Sequence, residues 1–182
     1  DKKVLTDNLG KWGEVLWLFA NGLDTATVRK TDERTAVKSI GNSTTCPRDL
    51  VNNEDVRLVF TVLAESVAAR LRDYGLKCTG IQISLRDNQL YSATRQGLLT
   101  KPSYLSADII NKAMELFLAN YNWFHPLRSV GIRAINLVTE KDHVQLALFD
   151  DIDEKTREQE SLSHTIDAIH SRFGHGSLMR AS

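Results

Sequence analysis

The sequence predicts an α+β fold: a β-α-β-β-α-β unit forming a four-stranded mixed sheet with two helices on one face, plus an N-terminal and a C-terminal helix. Three observations predict it. Four short strand-like runs (VKSIGNSTTC, KCTGIQISLR, LYSATRQGL and LRSVGIRAINLV) alternate with two long helical stripes. Asp87-Asn88, between the second and third runs, is turn chemistry and makes those runs a hairpin. The strands that alternate clearly are apolar on one side only, so the helices cover that side and the other is left open.

The elements follow in order. Leu5, Leu9, Trp12, Leu16 and Phe19 recur at spacings of four and three residues and predict one helix face, stopped at Asn21-Gly22. Its stripe, with Trp12 and Phe19, calls for a partner surface. Residues 23–36 are polar and without a long apolar period, and read as a tether. Residues 37–46 predict a strand that stops at Pro47. Asn52 or Asn53 caps a helix from about Glu54 to Tyr74, striped by Val56, Phe60, Leu63, Val67 and Leu71 and ended by Gly75. Residues 77–86 predict a strand with Ile81, Ile83 and Leu85 on one face and Gly80, Gln82, Ser84 and Arg86 on the other. Residues 90–98 return the hairpin. Ser106 caps a helix to about Tyr121 through Ala113 and Phe117. Residues 127–138 predict a strand with Val130, Ile132 and Ala134 facing one way and Ser129, Gly131 and Arg133 the other. The run 144–149 is apolar and short. A final helix, about Glu154 to Arg172, is striped by Leu162, Ile166, Ile169 and Phe173.

Composition narrows the function classes. With 42% hydrophobic and 25% charged residues, the chain is neither disordered nor fibrous. Its 23 basic and 23 acidic residues exclude a uniformly basic nucleic-acid binder. The neutrality is uneven, however: residues 36–149 carry a net +3 and residues 150–182 a net −3, so the middle block can meet a polyanion. No apolar run approaches the roughly 20 residues that cross a bilayer, so no membrane partner is expected. Cys46 and Cys78 make no disulfide scaffold, which fits a reducing cytoplasm.

The open sheet face is where binding chemistry concentrates. Guanidinium forks and hydroxyls donate to phosphate oxygens, and glycine lets backbone N–H groups approach. The candidates are Lys38, Ser39, Gly41 and Asn42 on the first strand, Arg86, Thr94, Arg95 and Gln96 on the hairpin, and Arg128, Ser129 and Arg133 on the last strand. Aromatic residues are sparse among them, so duplex backbone is the expected ligand rather than stacked single-stranded bases. Other chemistry fails its tests. There is no phosphate-binding P-loop and no dinucleotide-binding glycine motif. His125, His143, His164, His170 and His175 stand at no zinc spacing, and Arg172-Phe173-Gly174-His175-Gly176 reads as a helix stop. Asp150, Asp151, Asp153 and Glu154 read as a solvated loop and a helix N-terminus. No Ser–His–Asp arrangement emerges.

VKSIGNS, LAESVAARLRDYGLKCTGIQISLR, YSATRQGLL and HPLRSVGIRAINL together resemble the little finger, the C-terminal DNA-binding domain of Y-family DNA polymerases, in its bacterial DinB variety. LGKWGEVLWLFANGLD resembles the end of that family's thumb. The resemblance implies a thumb-like end at 1–22, a tether at 23–36, the little finger at 37–149 and an acidic segment with a helix at 150–182. It also implies that Lys38, Ser39, Gly41, Thr94, Arg95, Arg128, Ser129 and Arg133 lie on strands that contact template–primer duplex. Ser129 stands where related sequences often carry a second basic residue, which weakens one contact. The catalytic carboxylates and their Mg²⁺ belong to the palm and fingers, expected before Asp1. The piece in hand is therefore expected to hold no cofactor and to be inactive alone. Gln145, Leu146, Leu148 and Phe149, in QLALF, resemble the peptide by which bacterial proteins dock on the sliding clamp. Ala147 departs from its usual Ser or Asp. The alternative is that this run is a buried strand.

Overall fold

The computed structural model describes residues 1–28, 36–139, 154–174 and 176–178. Two compact units divide the chain, Asp1–Ala36 and Val37–Ser182.

In the first unit, α1 (Lys2–Leu9) and α2 (Lys11–Ala20) replace the single helix predicted. Gly10 breaks it: its φ of 57° and ψ of −136° lie outside the helical region, where only glycine is at ease. A Cβ on Gly13 would stand 2.0 Å from the Leu5 carbonyl oxygen, so α2 packs on α1 through a residue without a side chain. The apolar stripe is thereby split, and Trp12 remains 72% exposed.

The second unit is β1 (Ile40–Leu50), α3 (Asn53–Asp73), β2 (Leu76–Asp87), β3 (Ser92–Ser103), α4 (Ser106–Asn120), β4 (Leu127–Thr139) and α5 (Glu154–Phe173). The strands form one sheet in the order β1-β4-β2-β3. Every neighbouring pair is antiparallel, so the sheet is α+β as predicted but not mixed. The reason is topological. Each strand–helix–strand crossover keeps its two strands parallel, but the two crossovers interleave. β4 enters between β1 and β2, and β2 between β4 and β3, so parallel strands never touch.

β1 begins later than predicted and continues through Pro47. Pro47 lies where the register between β1 and β4 shifts, between Thr45 and Leu50, on an edge strand that tolerates a missing donor. α3 starts as expected: the Asn52 side chain accepts the Asp55 N–H at 2.8 Å. α4 starts one position off the prediction, with Leu105 at the cap and Ser106 already helical.

α3 and α4 turn Val56, Phe60, Val67, Leu71, Ile109 and Phe117 onto Ile81, Ile83, Val130, Ile132 and Ala134 of the sheet, and these residues are buried together. Phe60 and Phe117 meet edge to face at 6.4 Å between centroids, the contact that joins the two helices. Both helices therefore cover the same sheet face.

Candidate nucleic-acid interface

Antiparallel register sorts the side chains of the uncovered face into rows across the sheet. Thr45, Ser129, Arg86 and Ser92 are cross-strand partners in one row. Ser43, Gly131, Ser84 and Thr94 form the next, and Gly41, Arg133, Gln82 and Gln96 the third. All are glycine, hydroxyl, amide or guanidinium; none is a carboxylate. Strands stand about 4.8 Å apart and rows about 7 Å, so the grid is regular at close to molecular-contact spacing.

The middle row is a floor. A Cβ on Gly131 would come within 2.5 Å of Ser84 Oγ and 2.8 Å of Ser43 Cβ, so only glycine fits between those two hydroxyl-bearing residues. The floor opens into a depression of about 410 Å³ bounded by Gly41, Ser43, Gln82, Ser84, Thr94 and Arg133. Ser129 Oγ donates to the Thr44 carbonyl at 2.9 Å, which leaves the hydroxyl oxygen able to accept or share.

Arg86 and Arg133 are exposed on this face, and neither pairs with a carboxylate among the described residues. A guanidinium over a neutral hydroxyl floor is an anion site in waiting: five N–H donors are in place, and no acceptor among the described residues competes for them.

The predicted candidates distribute unevenly. Gly41, Arg86, Thr94, Gln96, Ser129 and Arg133 stand together on the uncovered face. Asn42 does not: its side chain turns to the helix side and reaches Ser66 Oγ of α3 at 3.3 Å. Arg95 also lies on the helix side. It pairs across from the buried Ile83, and its Nε donates to Asn120 Oδ1 at the end of α4 at 3.1 Å. Arg128 sits where the register of β4 slips between Leu127 and Ser129, and is already 3.5 Å from Asp49 Oδ1. Lys38 and Ser39 precede β1, Lys38 exposed and Ser39 half-buried. Gln145, Leu146, Leu148 and Phe149 lie outside the described residues, as do His143, Asp150, Asp151, Asp153 and His175. Ser43, Thr45 and Ser92 belong to the face and are missing from the candidates. Continuing the period of two from Gly41 and from Thr94 would have found them.

Among the described residues no group of three or more His, Cys, Asp and Glu side chains could hold a metal ion. Nor is any described helix long and apolar enough to cross a membrane.

Comparison with known proteins bears on this face. Residues 37–148 match the impB/mucB/samB family C-terminal domain. The chain is 45% identical over 178 residues to DNA polymerase IV of Acetivibrio thermocellus, covering 98% of this chain and 44% of that protein. It is 30% identical over 183 residues to DNA polymerase IV of Clostridium acetobutylicum, covering 100% and 44%. It is 32% identical over 179 residues to DNA polymerase IV 2 of Bacillus subtilis, covering 94% and 42%. The chain thus spans less than half the length of these relatives.

Proposed function

The chain belongs to the impB/mucB/samB family through that family's C-terminal domain, and from this we propose that it is the duplex-gripping part of a translesion DNA polymerase. The uncovered face lies along template–primer duplex and holds backbone phosphates with little regard to base sequence. Arg86 and Arg133 supply charge-assisted hydrogen bonds, and Ser43, Ser84, Thr94 and Ser129 add hydroxyls around them. One observation carries the reading: among the described residues, three rows of polar side chains hold two guanidinium groups without an ion-pair partner and no carboxylate, on a face that no described helix covers. The described residues take no part in catalysis. Palm, fingers and thumb of the same polymerase are the proposed partners, with Mg²⁺ held among catalytic carboxylates there.

The test is the salt dependence of binding to a blunt-ended duplex. Affinity should fall linearly on a log–log plot, with a slope of roughly −0.9 per phosphate neutralised. Arg86→Ala with Arg133→Ala should flatten that slope by about 1.8 and weaken all sequences alike. No detectable binding at low salt, or binding indifferent to salt, would refute the reading. Losses confined to some sequences would point to base recognition instead.

A second reading adds docking on the sliding clamp through Gln145, Leu146, Leu148 and Phe149. Its support is the QLALF sequence itself, in which Leu148 and Phe149 suit an apolar pocket and Gln145 a hydrogen bond beside it. Leu148→Ala with Phe149→Ala should abolish capture by the bacterial clamp and leave duplex binding intact. Loss of the folded state would instead mark the run as core.

A further inference from the structure

The two edges of the sheet are finished differently. In β1 the Thr44 carbonyl accepts the Ser129 hydroxyl and so faces β4, which turns the backbone groups of Gly41, Ser43 and Thr45 outward. Each of these three has one group held by a side chain. Arg70 Nη1 of α3 donates to the Gly41 carbonyl at 3.1 Å. The Ser43 N–H donates to Asn42 Oδ1 at 2.9 Å, and Thr44 Oγ1 to the Thr45 carbonyl at 3.4 Å. In β3 the Asp87 N–H donates to the Tyr91 carbonyl at 3.0 Å. Alternation from that bond joins Ala93, Arg95 and Gly97 to β2 and turns the backbone of Ser92, Thr94, Gln96 and Leu98 outward. Among the described residues only the Thr94 carbonyl of this edge has a side-chain partner, Arg95 Nη1 at 2.8 Å. Gln96 and Leu98 thus present donors and acceptors that no described side chain caps.

Beside residues 98–101 lies a groove of about 210 Å³, lined on its other side by Asp108, Lys112 and Glu115 of α4. Cations prevail there. Lys101 in the groove, and Arg95 further along the same side of β3, have no carboxylate partner among the described residues. Lys112 shares Glu115 at 2.7 Å, and Asp108 Oδ2 already accepts the Ser103 hydroxyl at 2.6 Å. The other side of the same edge carries Leu98, which is 67% exposed. We propose that the outer edge of β3 takes an extended acidic peptide as a fifth strand, its carboxylates in the groove and its apolar side chains beside Leu98. Alternate residues of a strand fall on opposite sides, so a peptide alternating acidic and β-branched residues meets both demands. Its backbone also returns a donor for each carbonyl of Gln96 and Leu98, whereas phosphate oxygens only accept. That difference favours a peptide over nucleic acid at this edge. The site does not depend on the duplex reading of the uncovered face.

The probe is a blocked peptide of alternating Glu and Val, added to the full chain. It should bind saturably and slow amide exchange at Gln96 and Leu98, with Gly41 and Thr45 on the opposite edge unchanged. A peptide of alternating Lys and Val should not bind. Only every second peptide nitrogen faces β3. N-methylation of the Glu nitrogens in one peptide and of the Val nitrogens in another should therefore weaken one of the two about tenfold and leave the other as it was. Leu98→Pro removes an outward N–H without breaking the ladder to β2, and should abolish binding. Should that variant not fold, the methylated peptides test the same bonds on the parent chain. Arg95→Glu with Lys101→Glu should reverse the preference, rejecting the Glu peptide and admitting the Lys peptide. The proposal is overturned by no binding of the Glu peptide, by equal binding of the Glu and Lys peptides, or by equal losses from the two methylations. Slowed exchange at Gln96 and Leu98 with a blunt-ended duplex but not with the peptide would also overturn it, and would assign the edge to nucleic acid.

Discussion

Asn52 and Asp55 close the start of α3 reciprocally. Asn52 Oδ1 accepts the Asp55 N–H at 2.8 Å, and Asp55 Oδ2 accepts the Val51 N–H at 3.4 Å. Arg48 grips the same carboxylate with two nitrogens, at 2.8 and 3.1 Å. That hydrogen-bonded guanidinium, first among the causes, holds the Asp55 carboxyl below the usual carboxylate range. Asn52→Ala should cost about 1 kcal/mol in urea unfolding at neutral pH, the usual worth of an N-cap. Asp55→Asn should also destabilise. A carboxyl whose folded pKa is depressed contributes stability above its unfolded pKa and loses it as pH falls through the folded one. The gap between parent and Asp55→Asn should therefore close in acid; a gap that persists below the carboxylate range would mean the charge is not what Asp55 contributes. The Asn52 cap was legible in the sequence because Asn precedes a long stripe. The Arg48 grip was not, since it spans a chain reversal that no local pattern encodes. Arg95 shows the same limit: Ser92, Ala93, Thr94, Arg95, Gln96 and Gly97 are all small or polar, so the run carries no apolar marker to set its phase, and pairing with the buried Ile83 decides which way Arg95 points.

At the scale of elements, legibility follows how strongly burial dictates the pattern. β2 and β4 are central strands, and their alternations of Ile81, Ile83, Leu85 and of Val130, Ile132, Ala134 are those found buried. The same alternations put Arg86 and Arg133 on the uncovered face. The edges are less constrained. β1 runs through Pro47 because one side of it needs no donors, so proline there did not act as the stop it is in a central strand. The split between α1 and α2 at Gly10 is invisible to periodicity, since the residues on either side keep spacings of three and four across the break. α5 uses only the middle of its apolar stripe: Ile166 and Ile169 are half-buried beside Glu160, Ser163, Asp167 and His170, the ends Leu162 and Phe173 stay exposed, and cations of α3, β2 and β3 meet the polar residues. Sequence periodicity reports what a helix could bury, and the surface it meets decides how much of that stripe it does bury. Antiparallel pairing throughout, in place of a mixed sheet, has a similar source, because strand order is decided by which crossover lies nested in which.

Over the whole molecule, the formal charge is zero and the isoelectric point about 7.1, values that would ordinarily argue against a polyanion ligand. The charge is segregated instead. Residues 36–149 hold the excess of cations and residues 150–182 the excess of acids, and α5 brings part of the second onto the first. Arg86 and Arg133 stay outside that cancellation, and guanidinium groups do not titrate in the physiological range. Histidine is the side chain that ordinarily changes charge there, yet no row of the uncovered face contains one. Moving from pH 6 to pH 8 carries the net charge through zero, from positive to negative, without altering the charge of the face. Duplex affinity at fixed low salt should accordingly change by less than about twofold across that interval if local charge governs binding. If net charge governed, affinity would fall steadily as the pH rose past the isoelectric point. Titrating binding by fluorescence anisotropy at several pH values, in the parent and in Arg86→Ala with Arg133→Ala, separates the two: a flat parent profile above a uniformly weaker variant assigns the binding to the two arginines, while parallel declines assign it to the charge of the chain as a whole.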